Sequence, residues 1–366
     1  RVVKAYVQEK GENAKFRVFN EDYRDKNMRL VRTDALFHSF MFFLPSLSYF
    51  LVLLVGGSKA IRGEISVGDF VAANMYVWQL VWPMIAIGWI FNLFQRAGAS
   101  IKRIREVLEQ PDEFEGDGPS VHLDVPIEIR NLNFIYPGSE TAALRNFTLT
   151  LRRGETVALM GRTGSGKSTL VNILTRLYDP PRGTVFIGGR DVLDIPKKEL
   201  RLFFGVAPQE AFLFTDTIKK NISFGISDAE DDQIVRVAKS AQIYNDIVNL
   251  PQNFDTLVGE RGVTLSGGQR QRASLARAIL TRRKVIVLDD SFSAVDVLTE
   301  KRILESLKKE KEGRTVLVIT HRVNVAQMAD RIVVMEKGAV ADQGTEEELL
   351  SREGFYKEVF EHQQTA

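Results

Sequence analysis

A stretch of glycines and small polar residues at 161–169, GRTGSGKST, has the spacing of a phosphate-binding loop. It fits the pattern G-x-x-x-x-G-K-[ST] and lies between the apolar run TVALM and the helical sequence KSTLVNILTRL, as such a loop requires. The glycines let backbone N–H groups turn toward phosphate oxygens, and the first turn of the helix adds its dipole. We predict that Lys167 bridges the β- and γ-phosphates of a nucleotide and that the Ser168 hydroxyl occupies a Mg²⁺ position. The nucleotide-binding residues predicted in this loop are Gly161, Arg162, Thr163, Gly164, Ser165, Gly166, Lys167, Ser168 and Thr169.

A second stretch, VIVLDDSFSAVD at 285–296, places two adjacent carboxylates behind four apolar residues. The apolar run predicts a strand that is buried on both faces, beside the strand that leads into the phosphate loop. Asp289 at the end of this strand would then reach Mg²⁺ opposite Ser168. An aspartate at a strand end is also a frequent helix cap, but the neighbouring phosphate loop favours the metal ligand.

A third stretch, LSGGQRQR at 265–272, predicts a further helix N-terminus with exposed backbone N–H groups. The serine is suited to cap this helix, and the two glycines leave the amides around them open to an anion. One chain rarely needs two such surfaces for one γ-phosphate, so we infer that this surface serves a nucleotide held by another subunit. The residues assigned to it are Leu265, Ser266, Gly267, Gly268 and Gln269.

The elements that must position these residues alternate between short β-rich runs and helical patterns. Such alternation predicts an α/β domain with a largely parallel central sheet. Candidate strands span 127–134, 144–151, 156–160, 184–187, 285–289, 315–319 and 332–335. Candidate helices span 167–177, 229–241, 268–280 and 299–308.

Residues 1–110 have the character of part of a membrane domain. The ranges 35–58 and 70–95 contain no Asp, Glu, Lys or Arg, and a spanning helix needs about 20 largely apolar residues. A pair of buried helices in a soluble domain is the less favoured alternative, because core helices usually show a polar face. Lys and Arg are concentrated before the first range and after the second, which predicts that both ends of this hairpin are cytoplasmic.

The predicted organisation follows from these parts. Residues 111–120, PDEFEGDGPS, are acidic and rich in Pro and Gly, so a linker is predicted over 111–126. The fold class is an α-helical transmembrane hairpin followed, over 127–366, by an α/β P-loop nucleotide-binding domain with a helical subdomain. The chain has 49 basic and 47 acidic residues, a net charge of +2, so its total charge does not point to nucleic acid. It has no cysteine, which excludes disulfides, zinc–thiolate sites and thiol nucleophiles.

Together the motifs resemble the ATP-binding cassette (ABC) family. The phosphate loop, LSGGQ, VIVLDD and the histidine in VLVITHR occur in that family's order and spacing, over residues 127–366. The resemblance implies ATP and Mg²⁺ as cofactors. It also implies that Tyr136 stacks on adenine, that Gln209 contacts Mg²⁺ and the attacking water, and that His321 contacts the γ-phosphate. Ser293 and Asp296, in SAVD, are implied to belong to the loop that links the two sites of a dimer.

The hairpin resembles the last two of the six membrane helices in each half of an ABC exporter. It therefore implies an exporter half that is truncated at its N-terminus. A multi-pass protein of the cell membrane is expected, with a cytoplasmic nucleotide-binding domain and contacts to membrane lipid. Its expected activity is ATP hydrolysis coupled to outward transport of a small molecule, of the multidrug or lipophilic type.

Asp290 departs from the family pattern, in which the acid after the Mg²⁺ ligand is a glutamate that handles the attacking water. One methylene fewer retracts the carboxylate by about 1.5 Å, and a misplacement of about 1 Å can cost on the order of 100-fold in rate. We therefore predict that this chain binds ATP and hydrolyses it slowly, as does the weak-site half of a heterodimeric multidrug-type exporter. Its intact LSGGQ would complete the site of a second half-transporter.

Three alternatives remain open at this stage. One is a regulatory nucleotide-binding subunit with no hydrolysis of its own, which Asp290 favours and Lys167, Gln209 and His321 oppose. Another is a homodimeric exporter with two slow sites. The third is a soluble-type ATPase of repair or translation, which the two uncharged ranges oppose.

Overall fold

The computed structural model describes residues 2–110, 123–226, 228–259, 265–310 and 313–364. They belong to two compact units, residues 1–111 and 112–366. Of the linker predicted over 111–126, residues 111–122 lie outside the described ranges.

The described part of the first unit is helical. Helix α1 spans Val2–Ala5, α2 spans Glu9–Leu51, α3 spans Gly57–Ile61 and α4 spans Val67–Leu108, and a π-helical turn, Val52–Gly56, joins α2 to α3. Ser66 begins α4 with a capping box. Its hydroxyl accepts a hydrogen bond from the Asp69 N–H at 3.0 Å, and the Asp69 carboxylate accepts one from the Ser66 N–H at 3.1 Å.

The two uncharged ranges lie within these long helical stretches. Glu9–Ile61 and Val67–Leu108 are long and apolar enough to cross a membrane, with mean hydropathies of 2.0 and 1.5 in their most apolar windows. Most of their large side chains are exposed, and Trp78, for example, exposes 75% of its surface. A helix of a water-soluble domain turns an apolar stripe to a core. The surface of this hairpin is instead suited to lipid or to further helices.

The strands described in the second unit form two sheets. They are β1 Ile127–Ile135, β2 Ala142–Leu151, β3 Thr156–Gly161, β4 Val185–Ile187, β5 Arg190–Asp191, β6 Phe204–Ala207, β7 Val285–Asp289, β8 Thr315–Ile319, β9 Arg331–Glu336 and β10 Ala339–Gly344. One sheet is antiparallel, in the order β2-β1-β4-β5. The other has the order β10-β9-β3-β8-β7-β6 and is parallel except between β9 and β10. Strands β7 and β8 are buried along their whole length, as their continuous apolar sequences predict.

Helices pack against the parallel sheet, and several of them share a hydrophobic cluster with side chains of β7 and β8. They are α5 Lys167–Leu174, α6 Lys197–Phe203, α7 Ile218–Ser223, α8 Asp231–Ser240, α9 Tyr244–Val248, α10 Gly267–Leu280, α11 Val297–Glu310, α12 Val323–Ala326, α13 Glu346–Leu350 and α14 Phe355–Gln364. Helices α7 to α10 bury apolar side chains such as Ile222, Val237 and Leu275 in one hydrophobic cluster. This cluster is the helical subdomain, and the predicted fold class is confirmed.

Some predicted boundaries are wrong. The helix predicted over 167–177 ends at Leu174, because Arg176 adopts a left-handed φ of 48° and the Leu177 N–H turns back to the Asn172 carbonyl. The strand predicted over 332–335 is longer by one residue at each end. The elements β5, β6, β10, α6, α7, α9 and α12 to α14, most of them short, were absent from the sequence prediction.

Candidate nucleotide-binding site

The phosphate loop lies between β3 and α5, and two of its positions accept only glycine. Gly161 has a φ of 154°, and a Cβ there would lie 2.3 Å from the Met335 carbonyl oxygen. Gly166 has a φ of 99°, and a Cβ there would lie 2.6 Å from the Ala143 carbonyl oxygen. The backbone of β9 and β2 therefore presses directly on the loop, which explains why the glycine spacing is required.

Lys167 folds back over the loop. Its Nζ donates to the carbonyl oxygens of Gly161 at 2.8 Å and Arg162 at 3.0 Å, and to the Ser165 hydroxyl at 3.3 Å. Burial holds the pKa of Lys167 below its ordinary value, although the charges of Asp289 and Asp290 act in the opposite direction. The ammonium group thus donates its hydrogen bonds to neutral oxygens, and a bound phosphate would supply a negatively charged acceptor.

The carboxyl ends of β7 and β8 bring Asp289 next to the phosphate loop. Asp289 is only 6% exposed, and burial raises the pKa of its carboxyl group above the ordinary value. The charge of Asp290 raises it further, whereas a hydrogen bond with Ser168 and the charge of Lys167 lower it. Two of the side chains predicted to hold Mg²⁺, Ser168 and Asp289, are therefore neighbours.

Asp290 and His321 meet across the ends of the same two strands. The Nε2 atom of His321 lies 3.2 Å from Oδ2 of Asp290. Asp290 has a left-handed φ of 45°, and its N–H donates to the Ile319 carbonyl at 2.9 Å. The parallel pairing of Asp289 with Ile319 sets these two turns side by side. The sequence predicted both residues but contained no sign of their contact.

Tyr136 is tied to the helix that follows the phosphate loop. Its hydroxyl donates to Thr169 Oγ1 at 3.1 Å and accepts from the Asn172 side chain at 3.3 Å. Its ring packs edge-on against those of Phe134 and Tyr178, with centroid separations of 5.1 and 4.9 Å. The position of this ring is therefore coupled to that of the loop.

These residues surround one cavity of 280 Å³, here called the nucleotide cleft. Its lining includes Tyr136, Thr163, Gly164, Gly166, Lys167, Ser168, Thr169, Gln209, Asp289, Asp290 and His321. Arg162 is directed elsewhere, because its guanidinium donates to the Glu358 carboxylate at 3.1 Å. Ser165 is buried behind the loop as a partner of Lys167.

Gln209 stands between this cleft and a second cavity. It follows β6, is exposed, and also lines a neighbouring cavity of 530 Å³ together with Gly267, Arg270 and Gln271. Strand β6 was missing from the sequence prediction, and its pairing with β7 carries Gln209 to the edge where Asp289 ends.

The LSGGQ segment lies outside the nucleotide cleft. Ser266 caps α10, because its hydroxyl accepts from the Gln269 N–H at 3.2 Å and its N–H donates to the Gln269 side chain at 2.9 Å. Gln269 also donates to Asp246 at 2.9 Å. Leu265 is buried, and Gly267 and Gly268 begin the helix, with no room for a Cβ on Gly268 against the Ala294 carbonyl oxygen at 2.6 Å.

The SAVD loop is held from two sides by residues that the sequence analysis did not single out. Gln271 donates to the Ser293 hydroxyl at 2.7 Å and accepts from the Ala294 N–H at 2.9 Å. Arg322 donates to the carbonyl oxygens of Val295 at 3.0 Å and Ser293 at 3.2 Å. Their positions, inside LSGGQRQR and directly after His321, were the available signal.

Asp296, the last residue of the SAVD loop, caps α11. Its carboxylate accepts a hydrogen bond from the Thr299 N–H at 2.9 Å. That bond holds the pKa of Asp296 below its ordinary value. The side chain is thus engaged within its own chain.

The fold and the site define a P-loop nucleotide-binding domain that follows two membrane-type helices. A family model described as ABC transporter matches residues 144–293, and one described as ABC transporter transmembrane region matches residues 1–84. The chain therefore belongs to the ABC transporter family. In this family the nucleotide-binding domain is cytoplasmic, and the hairpin lies in a membrane.

Similar proteins are known from several bacteria. The probable multidrug resistance ABC transporter ATP-binding/permease protein YheI of Bacillus subtilis is 38% identical over 100% of this chain and 63% of its own length. The ATP-dependent lipid A-core flippase of Syntrophus aciditrophicus is 36% identical over 97% of this chain and 59% of its own length. The structure of a bacterial Atm1-family ABC exporter with ATP bound matches with a TM-score of 0.87 and 30% identity, over 99% of this chain and 64% of that one. The chain thus spans less than two thirds of the length of these relatives.

Proposed function

We propose that this chain is part of an ABC exporter half that binds ATP with Mg²⁺ and hydrolyses it slowly at its own site. The observation that carries the proposal is the meeting of the phosphate loop with Gln209, Asp289, Asp290 and His321 around one cleft. ATP binding and hydrolysis would drive the outward transport of a small molecule. The names of the relatives, multidrug resistance protein and lipid A-core flippase, favour a lipophilic substrate.

ATP would be held at both ends of the nucleotide. Its phosphates would enter the phosphate loop, where Lys167 now donates to neutral carbonyl oxygens that a charged phosphate can replace. Its adenine would stack on Tyr136, whose hydroxyl is bonded to Thr169. Because this bond joins the ring to the loop, both parts of one nucleotide would bind to a single rigid element.

Mg²⁺ fits the edge of the sheet beside the phosphate loop. Ser168 and Asp289 both line the cleft there, and a bound cation would lower the raised pKa of buried Asp289. Within the described ranges no group of three or more His, Cys, Asp and Glu side chains is arranged to hold a metal. That suits Mg²⁺, which takes several of its ligands from water and substrate phosphates. Ser168, Asp289 and Gln209 would hold the ion, which neutralises charge on the transferring phosphoryl group.

Asp290 is the residue that would make ATP hydrolysis at this site slow. An acid that orients the attacking water must come within about 2.6–3.2 Å of it. The shorter side chain of Asp290 already engages His321 through one of its two oxygens. His321 remains available to the γ-phosphate, since its side chain is 48% exposed.

The partner would be a second ABC half-transporter with glutamate at the equivalent position. The LSGGQ helix of this chain begins outside its own nucleotide cleft, and the backbone amides at its start would bind the partner's nucleotide. The SAVD loop lies against the same helix through Gln271 and would follow it into the dimer. One fast and one slow site would result.

The test compares ATP hydrolysis by the full chain and by Asp290→Glu, each assembled with a partner half whose own catalytic glutamate is replaced by glutamine, so that the turnover measured is that of this chain's site. Asp290→Glu should raise turnover by about 10- to 100-fold, because it restores the reach of the carboxylate. Asp290→Asn is the matched control, since it keeps the size of the side chain, removes the carboxylate and should lower the residual rate. ATP affinity should be unchanged in both.

The outcomes separate the alternatives. A change of less than about twofold in Asp290→Glu would refute the claim that Asp290 limits this site. Absence of hydrolysis in both Asp290→Glu and the parent would identify a regulatory subunit. Equal turnover by assemblies of this chain alone would identify a homodimer with two slow sites.

A further inference from the structure

The side chain of Gln363, in α14, forms hydrogen bonds with the backbone on both sides of Arg322. Its Nε2 atom donates to the carbonyl oxygen of His321 at 2.8 Å, and its Oε1 atom accepts from the N–H of Val323 at 2.9 Å. The second bond satisfies an amide in the first turn of α12, which begins without a side-chain cap of its own. One carboxamide thus fixes the two ends of the segment that carries His321.

Helix α14 presents Gln363 from a fixed position. Its Tyr356 is 2% exposed and belongs to a hydrophobic cluster with Met160 of β3 and Val334 of β9, the strands that flank the phosphate loop. The same helix contacts the loop itself, because Glu358 accepts a hydrogen bond from Arg162 at 3.1 Å. Helix α14 therefore fixes the His321 backbone relative to the same strands that hold the phosphate loop.

The imidazole of His321 is weakly held by its own surroundings. Its side chain is 48% exposed, and the described contact that orients the ring is the 3.2 Å approach to Asp290. Packing therefore does not determine where the ring lies, so its position depends on the backbone from which it projects.

We propose that Gln363 is a positioning residue that holds the His321 backbone so that the imidazole meets the γ-phosphate of ATP. The proposal rests on the proposed function, since it requires ATP in the nucleotide cleft. Gln363 does not line the nucleotide cleft, and it acts only through His321. Its loss would leave the binding of the adenine, α- and β-phosphate groups intact and weaken the recognition of the γ-phosphate.

The test measures binding of ADP and of the β,γ-imido analogue of ATP to the full chain, with Mg²⁺, by calorimetry. The analogue retains a γ-phosphate and is not hydrolysed, so the slow site does not complicate the reading. In Gln363→Ala the preference for the analogue over ADP should fall about threefold to tenfold, because a displaced imidazole loses part of its hydrogen bond to the charged γ-phosphate. Affinity for ADP should stay within about twofold of the parent value.

Two further variants bracket this result. Gln363→Glu keeps the acceptor for the Val323 N–H but places a second acceptor against the His321 carbonyl, so it should weaken the preference while α12 stays capped. It also serves as the second variant if Gln363→Ala does not fold. Gln364→Ala, at the exposed neighbouring position of α14, is the matched control and should leave the preference unchanged.

A double-mutant comparison decides between positioning and a general structural role. In a His321→Ala background, Gln363→Ala should cause no further fall in the preference, because no imidazole remains to be positioned. Equal falls in both backgrounds would overturn the proposal, as would an unchanged preference in Gln363→Ala. A parent chain that binds neither nucleotide would refute the proposed function itself, and with it this inference.

Discussion

The structure determines how much folding stability is lost when the hydrogen bonds from Gln271 to the SAVD loop are removed. Gln271 is 7% exposed, whereas Ser293 and Ala294, which it bonds at 2.7 and 2.9 Å, are exposed. When Gln271 is removed, water can replace it as a partner for both loop groups. Each bond then contributes only its net value of about 0.5–1.5 kcal/mol, so the two together stabilise the folded chain by about 1–3 kcal/mol.

The perturbation is Gln271→Met, which keeps the length of the side chain and removes both hydrogen bonds. A domain of this size loses about 2–4 °C of melting temperature per kcal/mol, so Gln271→Met should lower the Tm by about 2–12 °C. The measurement is thermal unfolding of the full chain without nucleotide. Gln271→Ala should lower the Tm further, because it also deletes buried apolar atoms.

Ser293→Ala is the matched control, because it removes the hydroxyl end of one of the two bonds. It should lower the Tm by at least half as much as Gln271→Met, because the amide of buried Gln271 loses its partner, and the double variant should equal Gln271→Met alone. If Gln271→Met unfolds at the parent temperature, the two bonds do not hold the loop and the reasoning is refuted. Additive losses in the double variant would mean that Ser293 acts through a different partner.

Two predictions concern the nucleotide cleft itself. Gly166→Ala should weaken ATP binding in titration calorimetry far more than Gly164→Ala. Both glycines have a left-handed φ, of 99° and 80°, but only at Gly166 would a Cβ contact the backbone, at 2.6 Å from the Ala143 carbonyl oxygen. Gly164→Ala should cost about tenfold or less in affinity, since it introduces backbone strain alone, and equal losses would contradict the steric argument. For Asp289, a folded-state pKa above the ordinary value of 3.8 means that the folded chain binds the proton more tightly, so stability falls as pH rises through the interval between the two values. Without nucleotide, Asp289→Asn should therefore have a higher Tm than the parent at neutral pH, and this gain should be absent below pH 3.8. A Tm at or below that of the parent at neutral pH would contradict the raised pKa.

Local sequence was sufficient for the parts of this protein whose geometry depends on neighbours in the chain. The glycines at 161 and 166 indicated a loop that needs open backbone angles, and the structure has them at φ of 154° and 99°. Ser266 indicated a capped helix, and it forms a capping box with Gln269. The apolar run before Asp289 indicated a strand buried on both faces, and β7 is buried throughout. Each of these features is a matter of a few consecutive residues.

Short elements escaped prediction for a physical reason. Strand β6 has four residues, Phe204–Ala207, and α12 has four, Val323–Ala326, which is too few for a repeating pattern of apolar side chains to emerge. They are stable because they pair with or pack against elements distant in the chain. Strand β6, for example, pairs with β7 in parallel from Phe204 and Val285 onward.

The amino-acid sequence by itself determined the two apolar helices, the phosphate loop, the α/β alternation and the identity of the residues around the cleft. Only the tertiary structure decided which of those residues touch. The approach of His321 to Asp290, the arrival of Gln209 at the same edge and the grip of Gln363 on the His321 backbone all depend on the strand order β3-β8-β7-β6 and on the packing of α14. Strand order is set by burial of side chains far apart in the chain, and no spacing within a short stretch encodes it.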